Sequence, residues 1–386
     1  MKNTYGYRPY RGSRVRRRGG IINALLVVLI VAAAVWVFSL LLPHEVDGTR
    51  NRMGGQVADD GTAVTDAPRT AAAGSGETVR VPSAMKNPGK AQPIFPAAPE
   101  GPENRRMILC EAGDLPEDTD DLIGLQQGGT LTGVAVVMKD GKGRLLYPSE
   151  IARVQGSEIV DPAEGVEEAI DRLRAAGIPL TAVVYVSEDS LFPGLYEACA
   201  LKTVDGGSWR GPDGRVYTDP ANGEALQYLT EIAAELRVMG FSEILLRGLG
   251  YPSEGALERI VYADVSEYGD DNARVVTGLV MAVKTAAPAM RVSVWLDSPE
   301  LDENPETGQC IHMLGQIADR FFVGLPGADP DESPAIIQAV QAAARNVVGG
   351  TGREAEHIVF ATDDTEGTEA LGEVLFDLPL RDLLND

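Results

Sequence analysis

A parallel α/β barrel is the fold that this sequence predicts over residues 105–386, and three observations predict it. Short apolar runs recur at Met107–Cys110, Val134–Met138, Ala182–Val186, Glu243–Leu246, Arg291–Leu296, Phe321–Leu325 and His357–Ala361. Helical periodicity lies between most of them, at Val166–Ala176, Glu224–Met239, Asp271–Ala286, Ile311–Ala318 and Pro334–Asn346. Several runs are continuous Val/Ile/Leu segments without alternation, as expected of strands covered on both faces. Strands alternating with helices imply right-handed crossovers and a parallel sheet. Seven strands can be counted, and Val374–Leu378 either supplies an eighth or leaves the (β/α)8 TIM-type barrel incomplete at its C-terminal end. A doubly wound open sheet is the rival, weakened because no GxGxxG or Walker-type glycine loop follows any strand.

Ahead of this domain the sequence predicts three segments. Residues 1–20 hold Lys2, Arg8, Arg11, Arg14, Arg16, Arg17 and Arg18, and no acid occurs before Glu45. Ile21–Leu42 is uncharged, about 33 Å long as a helix, enough to span a bilayer. It has no polar face to suit a buried core helix, and no clear small-residue cleavage site to suit a signal peptide. The basic flank predicts a cytoplasmic tail, residues 1–20, and an extracytoplasmic C-terminal domain. Residues 43–104, rich in Gly, Ala, Thr, Asp and Pro with almost no aromatics, read as a disordered linker spanning roughly 45 Å.

Charge divides across the apolar segment. All 57 acidic residues follow it, against 27 of the 34 basic ones, a net of −30. Such a surface repels nucleic acid and anionic lipid and says nothing about fold. Cys110, Cys199 and Cys310 are odd in number and far apart, which excludes a disulfide framework and suggests buried thiols. With only three His and no CxxC spacing, no metal or cofactor is expected.

The most informative stretch is Gly240–Pro252, G-F-S-E-I-L-L-R-G-L-G-Y-P. Glu243–Leu246 is a buried-type strand, and the residue just past such a strand faces the barrel mouth. That residue is Arg247, a permanent cation that neither donates a proton nor acts as a nucleophile. Trp209, Asp213-Gly214, Tyr217-Thr218-Asp219-Pro220, Tyr228, Glu231-Ile232-Ala233 and Gly240-Phe241 follow in an order that resembles the bacterial putative glycosyl hydrolase domain. Val134–Asp140 and Arg291–Trp295 resemble two further strands of that family. The likeness covers roughly residues 105–380 and implies a (β/α)8 barrel.

The departures from the family pattern carry more weight than the matches. Where its strand reads Phe-Asp-Tyr-Ile-Arg-Phe-Pro, this chain has Leu246 to Pro252, so the Asp has become Arg247 and the Arg has become Gly250. The family's Asp two residues before Lys139 is Val137 here, and its Asp two residues after Ser293 is Trp295. Three strand-borne acids are gone while the Gly, Pro and aromatic scaffold remains. The resemblance thus implies a kept fold and a lost reaction.

Residues just past the strands are Lys139, Asp140, Glu188, Asp189, Arg247, Asp297 with Glu300, Asp329, and Asp363-Asp364. A glycosidase needs two carboxylates about 5–5.5 Å apart if retaining, or ~6.5–9.5 Å if inverting. Asp140, Asp189 and Asp297 are the candidates to supply such a pair, and Lys139 and Asp189 also match the family. The bland alternative is strong, since Asp at a strand–helix junction is a favoured N-cap. Arg247 would in turn neutralise Asp140 or Asp189 in an ion pair. Trp209, Tyr217, Tyr251 and Trp295 are candidates for sugar stacking, or for packing their loops onto the barrel. His312 and His357 stand apart, and no Gly-x-Ser-x-Gly elbow exists.

Three readings follow. The first is a membrane-anchored, non-catalytic barrel binding envelope polysaccharide or an envelope protein, with the cleft formed by the nine candidates Lys139, Asp140, Asp189, Trp209, Tyr217, Arg247, Tyr251, Trp295 and Asp297. The second is an active glycosidase using Asp140, Asp189 and Asp297. The third is a purely structural envelope protein.

Overall fold

A computed structural model describes residues 106–262, 271–296, 307–325, 358–363, 365, 368 and 371–384. The expected tail, membrane span and linker lie outside them, as do Asp297, Glu300, Asp329, His357, Asp364 and the helix expected at Pro334–Asn346. Among the described residues no helix is long and apolar enough to cross a membrane.

Eight parallel strands close into a barrel. They are β1 (Arg106–Glu111), β2 (Gly133–Lys139), β3 (Leu180–Tyr185), β4 (Glu243–Arg247), β5 (Arg291–Leu296), β6 (Arg320–Gly324), β7 (Ile358–Thr362) and β8 (Glu373–Phe376). The eighth strand is therefore present. It closes the sheet by pairing with the first, Arg106 opposite Val374 and Ile108 opposite Phe376, which excludes the open-sheet rival. The principal helices are α1 (Leu115–Gln127), α2 (Val166–Ala175), α3 (Gly223–Met239) and α4 (Asp271–Ala286). The first of these was not anticipated from the sequence.

Two apolar layers explain why the strands read as continuous hydrophobic runs. Inward residues Met107, Ala135, Val137, Val183, Leu245, Phe322, Val359, Ala361 and Leu375 fill the lumen. Their neighbours, among them Ile108, Val136, Ala182, Ile244, Val292 and Phe321, pack outward against the helices. The lumen is thus a packed core, and chemistry is confined to the rim at the strand C-termini. At the opposite end, fully buried Glu243 accepts hydrogen bonds from Thr181 Oγ1 at 3.2 Å and from Ser293 Oγ.

Local sequence fixes the element ends. Asn222 caps α3 by accepting from the backbone N–H of Glu224 at 2.9 Å and of Ala225 at 3.1 Å. Gly240 ends it at φ +96°, where a Cβ would overlap the Arg174 guanidinium. Between β3 and α3 the chain makes a long excursion, with a small antiparallel pair joining Lys202–Thr203 to Ile260–Val261. Its core is Leu201, Trp209, Tyr251 and Ile260. Cys110, Cys199 and Cys310 are all buried and form no disulfide.

Candidate functional site

The polar residues singled out in the sequence separate into two places, and a bulge in β2 is the reason. Val137 stands opposite Val183, but Lys139, two residues on, stands opposite Val184. One residue is therefore extra in β2, and Lys139 turns out of the lumen into the layer beneath α3. There its Nζ pairs with Asp189 Oδ2 at 2.8 Å and donates to the Tyr185 carbonyl at 2.7 Å. Both side chains of the pair are no more than 3% exposed. Asp189 Oδ1 also accepts from the backbone N–H groups of Leu191 at 3.0 Å and Phe192 at 2.9 Å, capping the short turn that follows. Gly143, at φ +104°, lies so close that a Cβ there would overlap the Asp189 carboxylate.

A small cavity adjoins this pair, lined by Lys139, Ser187, Asp189, Thr218, Asp219 and Tyr228 among others. Burial raises the Asp219 carboxyl and pushes the Tyr228 hydroxyl well above its ordinary range. Tyr228 stacks on Phe192 at 4.2 Å. Most of the chain's Tyr217–Tyr228 motif is thus spent on packing the β3–α3 connection.

Asp140 is likewise committed to structure. Its Oδ1 accepts from the backbone N–H groups of Lys142, Gly143 and Arg144 at 2.9–3.0 Å, and its Oδ2 pairs with Arg144 at 2.7 Å. Partial burial would raise this carboxyl, but the hydrogen bonds from Arg144 and Lys142 outweigh it and hold the acid below its usual range. The expected ion pair of Arg247 with Asp140 or Asp189 is therefore corrected: both acids are taken by nearer cations, Arg144 and Lys139.

Arg247 does reach the lumen rim, at the end of β4. Its guanidinium lies 4.3 Å from the centre of the Trp295 ring on β5 and 5.2 Å from that of Tyr185 on β3. These rings stand in the two strands flanking β4, and Tyr185 is in register with Arg247. Trp295 also leans over β6, where a Cβ on Gly324 would come within 3.3 Å of its benzo edge. Two of the three positions at which the resembling family has acids, Arg247 and Trp295, are thus joined by one cation–aromatic contact, while Val137 fills the lumen. Gly250, in place of the family's Arg, has φ +126°, and a Cβ there would overlap the Thr307 carbonyl. Gln309 ties the same loop down, donating to Leu249 O at 3.0 Å and Trp295 O at 3.2 Å.

Two rim residues have no counterpart in the sequence reading. Glu111 ends β1 level with Val137, its surface open to solvent while the barrel rim crowds its carboxyl. Partial burial raises its carboxyl, as do Asp114, Asp140 and Asp377, while Arg247 opposes them. Asp377 follows β8. Each lies at or just beyond the end of an apolar run, and only barrel closure brings β1 and β8 together. Tyr185 is raised by burial, with Arg247 opposing and Glu188, Glu111 and Asp377 adding to the rise.

The aromatic candidates divide. Trp209 is 1% exposed, donates from Nε1 to Ala256 O at 3.0 Å and meets Tyr217 edge-on at 5.3 Å. Tyr251 is 4% exposed in the same cluster. Both therefore fill a core and present no open ring face, which corrects their assignment as cleft residues. Tyr217 is half-buried, its hydroxyl pushed up to about 12 by burial first and then by Glu188. His312 lies on the short helix Ile311–Leu314. No group of His, Cys, Asp and Glu able to hold a metal occurs among the described residues.

Comparison with solved structures finds a hypothetical protein from Ruminiclostridium thermocellum at 19% identity, covering 48% of this chain and 96% of that one, TM-score 0.43. The PgaB (BpsB) glycoside hydrolase domain from Bordetella bronchiseptica is 15% identical over 73% of this chain and 89% of its own, TM-score 0.49. A chitobiase from Flavobacterium johnsoniae is 13% identical over 70% and 38%, TM-score 0.43. No curated protein matches the chain. The sequence profile of the putative glycosyl hydrolase domain matches residues 111–321, from the last residue of β1 into β6. That stretch exceeds half of the chain, and the chain belongs to the putative glycosyl hydrolase domain family.

Proposed function

We propose that this is a catalytically silent glycoside-hydrolase-like barrel of the cell envelope, binding an envelope glycan or a protein partner. Residues 21–42 would anchor it in the membrane, with the N-terminus cytoplasmic and the barrel outside. The anchor is supported by the uncharged 22-residue segment and its basic flank.

The observation that carries the loss of catalysis is the Arg247 stack. Glycoside hydrolysis passes through an oxocarbenium-like transition state that a rim carboxylate stabilises. A guanidinium adds positive charge where positive charge develops. At an effective dielectric of about 20 and ~4 Å, exchanging attraction for repulsion is worth roughly 8 kcal/mol. Halved for solvent, that is still about three powers of ten in rate. Asp140 and Asp189 do not offset it, since one organises a turn and the other sits in a buried ion pair. The glycosidase reading draws support from one feature, the raised carboxyl of Glu111 at the rim, a condition suited to a general acid.

The test is reducing-end release by the full-length chain across cell-wall and storage polysaccharides. We expect none above background, and none from Arg247→Asp, because Val137 and Trp295 still lack acids. Release by the wild type that disappears in Glu111→Gln, Asp140→Asn, Asp189→Asn or Asp297→Asn would establish an active glycosidase instead.

A further inference from the structure

We propose that Arg247 anchors a ligand: it holds a neutral, hydroxyl-rich sugar edge-on at the barrel mouth through its free N–H groups. The inference rests on the reading above of a barrel that binds without turnover. Arg247 is half-buried, yet among the described residues it makes no hydrogen bond or ion pair, only the two ring contacts. Contact with the Trp295 and Tyr185 rings restrains the guanidinium, so the five donors of its fork are held at the rim. These donors reach water, and a ligand rich in acceptors can take the place of that water on groups already held at the rim.

The surroundings select among sugars. Arg247 acts on Glu111 from β1 and Tyr185 from β3, and Glu188 from the loop after β3 and Asp377 from the loop after β8 act on the same Tyr185. Among the described residues these carboxylates outnumber the cation, so a uronate or phosphate meets repulsion around its one partner. An ammonium, which has no acceptor, offers the guanidinium donors nothing to bind. Vicinal hydroxyls suit the mixture, accepting from the guanidinium and donating to Glu111 or Asp377. One face of each of Trp295 and Tyr185 is already covered by Arg247, which favours edge-on hydrogen bonding over ring stacking.

Calorimetric titration of the full-length chain with maltohexaose, xylohexaose, hexagalacturonate and a chitosan hexamer tests this. A neutral hexamer should bind with a salt-independent Kd, and Arg247→Gln and Arg247→Lys should each weaken it at least tenfold without lowering the melting temperature. Val238→Ser, on the exposed side of α3, should change nothing. Preference for the galacturonate or chitosan hexamer, binding of none of the four, or neutral binding unchanged by Arg247→Gln or Arg247→Lys overturns the inference. Release of shorter sugars with Arg247-dependent binding would overturn the silent-barrel reading and leave this one standing.

Discussion

Asp189→Asn separates a structural acid from a catalytic one. The substitution keeps a side-chain oxygen to accept from the Leu191 and Phe192 N–H groups but removes the charge facing Lys139 at 2.8 Å. Lys139 is then a cation in a site 2% exposed, its ammonium left with the Tyr185 carbonyl. Removing one partner of such a buried pair costs about 3–5 kcal/mol. At ~2–4 °C per kcal/mol for a domain of this order, the melting temperature should fall by roughly 6–20 °C. Adding Lys139→Met removes the orphaned charge and should recover more than half of the loss, because apolar replacement of a buried pair is often near neutral. Calorimetric melting of the wild type, both single variants and the double completes the cycle. A loss below about 1 kcal/mol for Asp189→Asn, or a double no more stable than that single, would refute the buried-pair account and return Asp189 to the candidates for catalysis.

Further outcomes follow from the same geometry. Gly143→Ala should cost at least about 2 kcal/mol, from positive-φ strain together with overlap of the Asp189 carboxylate. Gly250→Ala should be similarly destabilising, showing in a melting curve that the family's Arg is sterically excluded here. Trp209→Ala should cost ~3–5 kcal/mol as a buried aromatic, and should leave any binding at the mouth intact. Glu111 has a folded-state pKa above its unfolded one, so its contribution to stability is fully present below the unfolded value and is lost as pH rises through the folded value. Glu111→Gln should therefore melt higher than the wild type at neutral pH, and the difference should vanish as pH falls toward 4, near the unfolded carboxyl range.

Much of the fold was legible because the barrel strands are covered on both faces. Val134–Met138 and Glu243–Leu246 show continuous apolar runs, and all eight strands appear where such runs stand. Helix α1 was not legible: among Leu115–Gln127 its buried residues are Leu115, Thr119 and Leu122, too few apolar positions to mark a stripe. The bulge at Met138 leaves no trace in composition, yet it decides that Lys139 faces α3 instead of the lumen. Glu111 and Asp377 gain meaning only from closure of β1 on β8, a contact between the two ends of the domain. Trp209 and Trp295 look alike in sequence, each an aromatic near a strand end. One fills a loop core and the other carries a guanidinium, a difference set by tertiary neighbours.

The central claim is that a cation has replaced the machinery of hydrolysis at the barrel rim. Its most direct measurement is a single-turnover experiment, with the full-length chain in excess over whichever oligosaccharide it binds and the products read by mass spectrometry after overnight incubation. The account predicts that the oligosaccharide is recovered intact from the wild type and from Arg247→Asp alike. Cleavage by the wild type, abolished by changing one rim carboxylate to its amide, would contradict it.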